Sequence, residues 1–420
     1  MKVLIIGSGG REHALCVSIK NSRNVKKIFC IPGNAGTADI ALNVNIDINN
    51  FDLIKDFIKK ERIDIVIVGP EKPLVDGIVD YLNKFNIRVF GPNKFASQLE
   101  GSKIFTKKMC EKKNIPTANF GIFKNKEDSY SFIEKCDFPI VIKADGLASG
   151  KGVYICDGKE KSRLAINEIF DGKFGSAEFI LIEEFLDGEE MSFFVISDGK
   201  NFKTFGTAQD HKRALEGDKG NNTGGMGAYS PSRLQNKLLE DKIIEKIIKP
   251  TLEALKENQS NFMGFLYAGL MVVDNEPFLI EYNVRMGDPE CQTILPKLKT
   301  DFLKLIDSCV NGKLDEINIE WYDDKSLCIV LCSKGYPDEF EKNIELDLGS
   351  LKLNKDDFLF HAGTQIKDSK IYSTGGRVLN IVVKSNDFSK SRSRAIEIID
   401  KINWKNGFYR KDIGHRVIKE

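Results

Sequence analysis

The first 95 residues repeat one pattern that restricts the fold more than any other feature of the chain. Short, mostly apolar runs alternate with helical segments, and each run ends near glycine, proline, asparagine or glutamate. The runs are Val3–Ile6, Lys27–Ile31, Ile63–Val68 and Ile87–Phe90. Continuously apolar strands separated by helices are typical of a parallel sheet covered on both faces. We therefore predict an α/β domain whose ligand site lies beyond the carboxyl ends of these strands.

A glycine-rich turn, Gly7–His13, follows the first strand and opens a helix. It does not fit a dinucleotide-binding fingerprint. Glu12 stands at the third glycine position, and the next strand ends in Pro32-Gly33 instead of an acidic residue. Backbone N–H groups at a helix N-terminus still form an anion site, to which Arg11 adds positive charge. We favour phosphate or substrate binding here over a purely structural turn.

A second glycine-rich segment, Lys143–Gly152, lies between the predicted strands Pro139–Ala144 and Gly152–Cys156. It is not a P-loop, because that motif needs Ser or Thr and then a helix after its lysine, whereas Lys151 precedes glycine and a strand. A glycine flap between strands can fold over a triphosphate, with N–H groups and lysines meeting the charge. Lys143 lies on an otherwise apolar strand, so we expect an anionic partner for it.

A later predicted strand suggests a metal site. Glu281 and Asn283 lie two positions apart in Phe278–Arg285, so they share one face of the strand. Carboxylate and amide oxygens suit magnesium beside phosphates, and Arg285 on the same face can neutralise a transferring phosphoryl group. Earlier, the apolar strand Ile180–Leu186 turns acidic at its end. Such a strand can offer its backbone to adenine and a carboxylate to ribose, although a surface acidic cluster is the alternative.

The bulk composition excludes several functional classes. A formal net charge of +1 over 420 residues gives no overall field for nucleic acid or an anionic membrane. No apolar run approaches the roughly 20 residues of a membrane span, and the N-terminus does not read as a signal peptide. Nine scattered cysteines predict reduced thiols in a cytoplasmic protein. Cys328 and Cys332 share a strand face without further Cys or His nearby, so we interpret them as core residues.

Ten blocks, in order along essentially the whole chain, resemble the ATP-grasp superfamily and, within it, the phosphoribosylamine–glycine ligase (glycinamide ribonucleotide synthetase) family. The most specific are Asn222–Pro231 and Gly287–Glu290. The others are Gly7–Leu15, Pro32–Thr37, Val68–Glu71, Leu99–Lys103, Lys143–Gly152, Gln209–Arg213, Phe360–Thr364 and Gly375–Arg377. Asn221 stands where the family usually has proline, and Met286 replaces a usual phenylalanine. Neither departure removes a polar group.

The resemblance implies a multidomain α/β and α+β fold. A parallel-sheet (pre-ATP-grasp) domain is expected at 1–101, an ATP-grasp domain at 102–325 with a mobile lid at about 118–190, and a small α+β domain at 326–420. The implied reaction joins glycine to 5-phosphoribosylamine at the expense of ATP, through glycyl phosphate, in de novo purine biosynthesis. The implied cofactors are ATP and Mg²⁺ (or Mn²⁺). The implied partners are these small molecules alone, with no nucleic acid, no membrane and a monomeric chain.

Position by position, the resemblance assigns roles to individual residues. Catalytic roles are expected for Lys143, Arg285 and Asp288. Residues expected to bind ATP are Lys103, Lys143, Gly146, Ser149, Gly150, Lys151, Gly152, Glu183, Glu184, Phe185, Leu186 and Glu190. Residues expected to bind the other substrates or the acyl phosphate are Gly9, Gly10, Arg11, Asn34, Glu71, Asp210, Lys212, Gly225, Met226, Gly227, Arg285, Asp288 and Arg377. Glu281 and Asn283 are expected to bind the metal.

Three alternative functions are weighed against this reading. Another ATP-grasp ligase or carboxylase of purine metabolism shares the flap and the Glu281/Asn283 pair, but it does not account for Asn222–Pro231. The first glycine turn does not fit a dinucleotide-dependent oxidoreductase, because it departs from the dinucleotide-binding fingerprint. A regulatory module without catalysis would not need Lys143 and Arg285. Among the histidines, a structural and a functional role remain equally open for His13 and His211, whereas His361 and His415 are interpreted as structural.

Overall fold

The computed structural model describes residues 1–147, 152–175, 177–349 and 351–418. Three of the residues predicted to bind ATP, Ser149, Gly150 and Lys151, lie outside the described residues. No helix within the described ranges is long and apolar enough to cross a membrane.

The first region forms a parallel sheet in the order β3-β2-β1-β4-β5, as the apolar runs predict. Its central strands are buried on both faces because helices cover the sheet from two sides. Its strands are β1 (Lys2–Gly7), β2 (Lys27–Pro32), β3 (Leu42–Asn43), β4 (Ile65–Val68) and β5 (Val89–Phe90). Its helices are α1 (Gly10–Lys20), α2 (Phe51–Glu61), α3 (Glu71–Asp76) and α4 (Ile78–Asn83), with a 3-10 turn at Thr37–Asp39.

The second region begins with two helices and a small antiparallel sheet in the order β6-β9-β7-β8. Its apolar residues form a separate small core under two of its helices. The strands are β6 (Phe120–Phe123), β7 (Ile140–Ala144), β8 (Val153–Cys156) and β9 (Ile180–Glu184). The helices are α5 (Gln98–Gly101), α6 (Lys103–Lys113), α7 (Lys126–Ile133) and α8 (Lys159–Phe170). Strands β7 and β8 pair on either side of the predicted flap, which confirms the strand–flap–strand arrangement.

A larger antiparallel sheet follows, in the order β16-β15-β10-β11-β14-β17-β22-β19, with β23 added beside β17. The strands of the remaining described chain are β10 (Glu189–Asp198), β11 (Phe202–Asp210), β12 (Arg213–Leu215), β13 (Lys219–Asn222), β14 (Gly227–Ser230), β15 (Met263–Val273), β16 (Glu276–Asn283), β17 (Lys325–Ser333), β18 (Glu345–Leu346), β19 (Asp357–His361), β20 (Thr364–Lys367), β21 (Lys370–Ser373), β22 (Arg377–Ser385) and β23 (Gly407–Phe408). Because β14 pairs with β17, the sheet runs continuously from the second region into the third.

The helical segment that begins at Lys237 is interrupted. A π-helical turn at Ile244–Ile248 separates α9 (Lys237–Ile243) from α10 (Lys249–Glu257). The other helices are α11 (Glu290–Ile294), α12 (Phe302–Val310) and α13 (Phe388–Ile399), with 3-10 turns at Leu295–Lys297 and Leu314–Glu316. Apolar side chains from all three regions merge into one large cluster, so the regions are packed against each other.

Candidate active site

Two buried arginines, Arg11 and Arg285, meet where the first region contacts the chain after β16. Arg11 pairs with Glu12, with Nε 2.5 Å from Oε1. Both guanidinium groups donate to the carbonyl of Met286, from Nη1 of Arg11 at 3.3 Å and from Nη1 of Arg285 at 3.2 Å. One backbone carbonyl therefore brings together two positive charges that the sequence places 274 positions apart.

Two carboxylates fix the guanidinium of Arg285. Nη2 lies 2.6 Å from Oε1 of Glu100, and Nε lies 3.3 Å from Oε2 of Glu71. Burial opposes the positive charge, but these carboxylates raise the pKa of Arg285. Burial also raises the pKa of Glu100 to about 7. It opposes ionisation of Glu71 as well, yet Arg285 and Arg11 bring the pKa of Glu71 below its ordinary value. Glu71, a predicted substrate residue, thus lies beside the predicted catalytic arginine.

Asp288 connects the three regions. Its Oδ2 accepts a hydrogen bond from the backbone N–H of Arg11 (3.3 Å), and its Oδ1 accepts from Gln292 Nε2 (2.7 Å). Nη1 of Arg377, from the third region, lies 3.3 Å from the same Oδ1 and also donates to the Asp288 carbonyl. Burial opposes ionisation, but Arg377 and Arg11 hold the pKa of Asp288 below its ordinary value. The structure therefore brings together Arg11, Asp288 and Arg377.

The glycines of the first turn serve different purposes. The N–H of Gly9 donates to Oε2 of Glu12 (2.6 Å), and Gly9 lies beside a cavity. A side chain at Gly10 would instead collide with Asn380 and Gln292, which are both fully buried. Close packing against the third region therefore accounts for glycine at position 10, independently of any ligand.

The amide of Asn34 is engaged inside the protein. Its Nδ2 donates to the carbonyls of Ser8 (2.9 Å), Gly9 (3.3 Å) and His361 (2.8 Å). Its Oδ1 accepts from the N–H of Thr37 (2.9 Å). Asn34 holds three loops at the edge of the predicted substrate site, and its side chain has no remaining donor for a ligand.

A cavity of about 420 Å³ opens between the first and third regions. It lies at the carboxyl ends of β1 and β2, where the parallel sheet was expected to collect its ligand. Gly9 and Asp288, with the guanidinium of Arg377, contribute its charged and N–H-rich wall. The lining residues are Ser8, Gly9, Pro32, Gly33, Asn34, Asp288, Ala362, Gly363, Thr364, Gln365, Thr374 and Arg377.

Three lysines converge at the base of the flap. Lys103, at the start of α6, donates to the carbonyl of Gly146 (2.9 Å). Lys143 forms an ion pair with Oε2 of Glu183, so the anionic partner expected for this buried lysine is present. Lys107 pairs with Oε1 of the same glutamate. Burial opposes ionisation, but the two lysines hold the pKa of Glu183 below its ordinary value. Three lysines therefore gather at the base of the flap, and two of them share the Glu183 carboxylate. A cluster of ammonium groups of this kind is suited to phosphates.

The described beginning of the flap is tied to α6. Both oxygens of Asp145 accept from the hydroxyl of Ser102 (3.2 and 3.1 Å), and Oδ1 also accepts from the N–H of Ile104 (3.3 Å). On the other side of the flap, the carbonyl of Gly152 accepts from the N–H of Ala144 (2.9 Å). These bonds hold the two described ends of the flap, Asp145 and Gly152, next to α6 and β7, the elements that carry the lysine cluster.

The strand expected to bind adenine ends beside the segment before β6. The Glu184 carboxylate accepts from the N–H and the Nδ2 of Asn119 (3.0 and 2.9 Å), whereas Phe185 and Leu186 follow in a partly buried loop. At the start of β10, Oε2 of Glu190 lies 2.6 Å from Nζ of Lys212. A residue predicted to hold ribose and one predicted to hold the acyl phosphate thus form a direct ion pair.

A buried acidic group lies next to that pair. Burial raises the pKa of Asp210 to about 7, against the opposing charge of Lys212. Burial also opposes the charged form of Lys212, but Glu190 and Asp210 hold its pKa well above its ordinary value. Glu290 lies nearby and accepts from the hydroxyl of Tyr267 (3.1 Å). An acid that titrates near neutrality beside a fixed cation is suited to proton transfer.

The predicted metal residues fit an oxygen-ligated cation. Glu281 and Asn283 lie at the end of β16, opposite Gly269 and Tyr267, on one face of the strand. Within the described part of the chain, neither side chain makes a hydrogen bond or an ion pair, so their oxygens remain available. The negative charge of Glu281 also acts on Lys103. Burial lowers the pKa of Lys103, and the Glu281 carboxylate opposes that shift. Glu281 therefore lies near the lysine cluster.

The segment Gly225–Gly227 contributes packing more than side-chain contacts. Met226 is fully buried, and its sulfur lies 3.7 Å from Sγ of Cys332. A side chain at Gly225 would meet Pro289, and one at Gly227 would meet the carbonyl of Cys328. Any contact of this segment with substrate would therefore come from its backbone.

Three of the four histidines, His13, His211 and His361, are buried and make contacts inside the protein. Burial lowers the pKa of His13 to about 3 and that of His361 to about 4. His13 Nδ1 accepts from the N–H of His361 (2.9 Å), which joins α1 to β19. Burial lowers the pKa of His211 to about 4, and its Nε2 accepts from the N–H of Gly414 (3.0 Å). His13 and His211 therefore make contacts between regions, which favours the structural one of the two roles left open for them.

Sequence reasoning missed three charged residues of this site: Lys107, Glu100 and Arg416. Lys107 lies one helical turn after Lys103, so a comparison at four-residue spacing along α6 would have paired them. Glu100 stands within the quoted Leu99–Lys103 block but received no role. Arg416, near the C-terminal end of the described chain, pairs with Asp218 at 2.9 Å and had no local signal in the sequence.

Two antiparallel sheets with a buried lysine cluster beside the first of them, attached to a parallel-sheet domain, match the architecture of an ATP-grasp protein. Models of phosphoribosylglycinamide synthetase match the chain at residues 1–100 (N domain), 101–291 (ATP-grasp A domain) and 326–416 (C domain). The chain therefore belongs to the phosphoribosylglycinamide synthetase family.

Individual relatives agree along the full length. The chain is 45% identical over 419 residues to a phosphoribosylamine–glycine ligase of Agrobacterium fabrum, covering 100% of this chain and 99% of the relative. A ligase of the same name from Caldanaerobacter subterraneus is 44% identical and covers 98% of this chain and 99% of its own length. The crystal structure of phosphoribosylamine–glycine ligase from Thermotoga maritima superposes with a TM-score of 0.85 at 33% identity, covering 99% and 100% of the two chains.

More distant structures share the fold alone. A biotin carboxylase domain of 2-oxoglutarate carboxylase from Hydrogenobacter thermophilus, solved with MgADP, superposes with a TM-score of 0.72 at 16% identity, covering 97% of this chain and 91% of that one. The carboxylase alternative therefore has weaker support than the ligase family.

Proposed function

We propose that the chain joins glycine to 5-phosphoribosylamine with ATP, giving glycinamide ribonucleotide, ADP and phosphate in de novo purine biosynthesis. Its full-length similarity to phosphoribosylamine–glycine ligases supports the reaction class. The structural observation that best supports this reaction is the position of Asp288. This residue stands between the cavity of the first and third regions and the chain that continues from Glu281 and Asn283. An acceptor amine and an activated acid can therefore meet at one point.

The chemistry requires activation of glycine, because a carboxylate and an amine in water form only a salt. The glycine carboxylate attacks the γ-phosphate of ATP, and ADP leaves as glycyl phosphate forms. The phosphoribosylamine nitrogen then attacks the acyl carbon, and phosphate departs. Lys103 and Lys143 meet the phosphate charge, and Arg285 neutralises the transferring group. Asp210, with a pKa near 7, is suited to take the proton that the attacking amine loses.

Glu281 and Asn283 would hold the divalent cation, which we propose is Mg²⁺ or Mn²⁺. When bound, such a cation neutralises phosphate charge and orients the phosphate oxygens. The free oxygens of both side chains and their position beside Lys103 support this assignment.

We also propose that the protein acts as a cytoplasmic monomer on small molecules, without nucleic acid or membrane partners. The near-zero net charge supports the absence of polyanionic partners. The nine cysteines are all unpaired thiols, and eight of them are buried, which suits a reducing compartment.

A direct assay tests the reaction. Purified protein is supplied with ATP, Mg²⁺, glycine and freshly made phosphoribosylamine, and ADP and the amide product are followed together. We expect ADP release that depends on glycine and matches the amide mole for mole. ADP release that does not depend on glycine would contradict the proposal. ADP release that requires bicarbonate would contradict it as well and would favour the carboxylase alternative.

The metal assignment has its own test. We expect Glu281→Ala to lower kcat by at least about a hundredfold, since a bound cation contributes several kcal/mol to charge stabilisation. Glu276→Ala on the same strand is the matched control. That glutamate pairs only with lysines at the surface, and exposed pairs contribute little. Equal activity of the two variants at saturating Mg²⁺ would remove Glu281 from the metal site.

A further inference from the structure

The buried glutamate at the base of the flap has two lysine partners of unequal freedom. Glu183 is 3% exposed, and Lys107 and Lys143 are 2% and 6% exposed. Lys107 pairs with Oε1 of the glutamate and Lys143 with Oε2. The two lysines come from different elements, α6 and β7, so the carboxylate joins the helix to the sheet.

Lys107 is held on several sides. Besides Glu183, its Nζ donates to Oγ1 of Thr117 (2.5 Å) and to the carbonyl of Ala118 (3.5 Å), and it lies 5.3 Å from the centre of the Phe120 ring. Thr117 and Ala118 belong to the segment that leads into β6, and Phe120 is the first residue of that strand. Lys107 is therefore fixed to the wall of the domain.

Lys143 makes fewer contacts than Lys107 among the described residues. Among the described residues, its Nζ has one close partner, the Glu183 carboxylate. It is the last residue but one of β7, just before the chain turns towards the flap. Lys103 lies close enough for the positive charge of Lys143 to contribute to lowering the Lys103 pKa. An arriving triphosphate would compete with Glu183 for this ammonium group.

We propose that Lys107 is the permanent counter-ion of Glu183, and that it thereby allows Lys143 to leave the glutamate and bind the phosphates of the nucleotide. This positioning role rests on the proposed function, in which Lys143 contacts ATP. A carboxylate buried to this degree cannot remain ionised without a cation, so Lys143 would stay bound to it if Lys107 were absent. With Lys107 in place, Glu183 keeps one partner throughout, and the exchange of Lys143 between carboxylate and phosphate leaves no buried charge unpaired.

A simple structural role for Lys107 makes a different prediction. If Lys107 only stabilised the fold, its loss and the loss of Glu183 would weaken nucleotide binding independently, and the two effects would add. In the counter-ion role, removal of Glu183 abolishes the need for Lys107, so the double variant should recover what the single variant loses.

The test is a double-mutant cycle on nucleotide affinity. ADP and ATP binding with Mg²⁺, without glycine or phosphoribosylamine, is measured by isothermal titration calorimetry for wild type, Lys107→Met, Glu183→Gln and the double variant. We expect Lys107→Met to bind at least about tenfold more weakly, because one partner of a buried ion pair is lost. The double variant should bind within about threefold of Glu183→Gln alone, since coupled sites are non-additive.

Two further variants complete the cycle. Lys108→Met, the exposed neighbour on the same helix, should bind like wild type. Lys107→Arg, which keeps the charge, should restore most of the affinity. If Lys107→Met does not fold, as judged by circular dichroism, Lys107→Gln takes its place because it can keep the bonds to Thr117 and Ala118.

The possible outcomes are distinct. A wild-type protein that binds neither ADP nor ATP would contradict the proposed function itself. A wild type that binds, together with a Lys107→Met variant of equal affinity or with losses that simply add, would overturn the counter-ion role alone.

Discussion

At the scale of single residues, the cluster around Glu183 shows both the power and the limit of sequence reasoning. A lysine on an apolar strand requires an anionic partner, and Lys143 has one. The identity of that partner depends on the pairing of β7 with β9, which brings Glu183 near from 40 positions away in the sequence. Lys107 lies in a lysine-rich stretch that reads as an ordinary solvated helix face, so its burial could not be predicted.

Asn34 offers a residue-scale test that separates binding from architecture. Asn34→Asp would replace a donor to three carbonyls by a carboxylate facing the same oxygens. We expect the free energy of unfolding to fall by roughly 2 to 4 kcal/mol, because a buried charged group would be left unsatisfied. Urea unfolding in the absence of substrates measures this. Asn45→Asp, at an exposed position of the same region, serves as the control.

The opposite result would also be informative. If Asn34→Asp were as stable as wild type but had a raised KM for phosphoribosylamine, the residue would be a substrate contact, as the sequence predicts. In that case the hydrogen bonds to Ser8, Gly9 and His361 would contribute little to the free energy of unfolding.

At the scale of elements, the end of the described chain clamps the β12–β13 hairpin. Arg410, only 1% exposed, donates from Nη1 to the Arg213 carbonyl (3.0 Å) and to Oδ1 of Asp218 (2.9 Å). Arg416 pairs with Oδ2 of Asp218 at 2.9 Å. The N–H of Gly217, at the hairpin tip, donates to Oδ2 of Asp412 (2.9 Å). The hairpin starts directly after Lys212, so this clamp supports the site from outside.

Two histidines near Asp218 could suggest a metal site at the same place, but the hydrogen bonds argue against it. His211 Nε2 accepts from the N–H of Gly414, so its proton lies on Nδ1, which faces Oδ1 of Asp218 at 3.8 Å. Metal binding would need that nitrogen deprotonated. Arg410 and Arg416 already neutralise the aspartate. The group is an ion-pair network.

The clamp predicts a defined phenotype for Asp218→Asn. Two arginines lose a shared carboxylate, and the buried Arg410 keeps Asp412 as a partner, so we expect a loss of roughly 1.5 to 3 kcal/mol in stability. Trypsin should cleave at Arg213 or Lys219 faster than in wild type, and glycine-dependent turnover should fall because Lys212 is less well held. Asp137→Asn, at an exposed site, is the control. Unchanged cleavage of the hairpin would show that the clamp is dispensable.

Elements were predicted with uneven success, for physical reasons. The continuous apolar strands of the first region were recognised because both faces are buried. Strand β11 shows no regular alternation, because it begins with three adjacent half-buried residues and ends with three adjacent buried ones before Asp210. Strand β14 has only four residues, so neither strand gives a clear signal. Asp274 and Asn275, between β15 and β16, take the positive φ angles (49° and 63°) that a tight hairpin requires.

At the scale of the whole molecule, neutral histidines connect the regions, and this sets a pH dependence. His13 and His361 join the first region to the third, and their pKa values are lowered to about 3 and about 4. An unfolded histidine titrates near pH 6.5. The unfolded chain therefore binds protons first, and the stability these residues contribute is present above about pH 6.5 and lost as the pH falls towards 4.

We expect His13→Gln to flatten this dependence. Between pH 6.5 and 4.5 the wild type should lose about 2 kcal/mol more unfolding free energy than the variant, because the slope rises to 1.36 kcal/mol per pH unit only once the unfolded histidine is fully protonated. Urea unfolding at several pH values measures the difference, in which the carboxyl groups common to both proteins cancel. Parallel curves for the two proteins would mean that His13 is not held neutral in the fold.

The strand pairing β14–β17 has a consequence for how the protein is made. A chain emerging from the ribosome completes β10, β11 and β14 about a hundred residues before β17 is synthesised. Until then β14 presents an unpaired edge with buried-type side chains, a template for association with other chains. Synthesis of the last quarter of the protein therefore closes an aggregation-prone edge, and fragments that stop before β17 should accumulate as insoluble material.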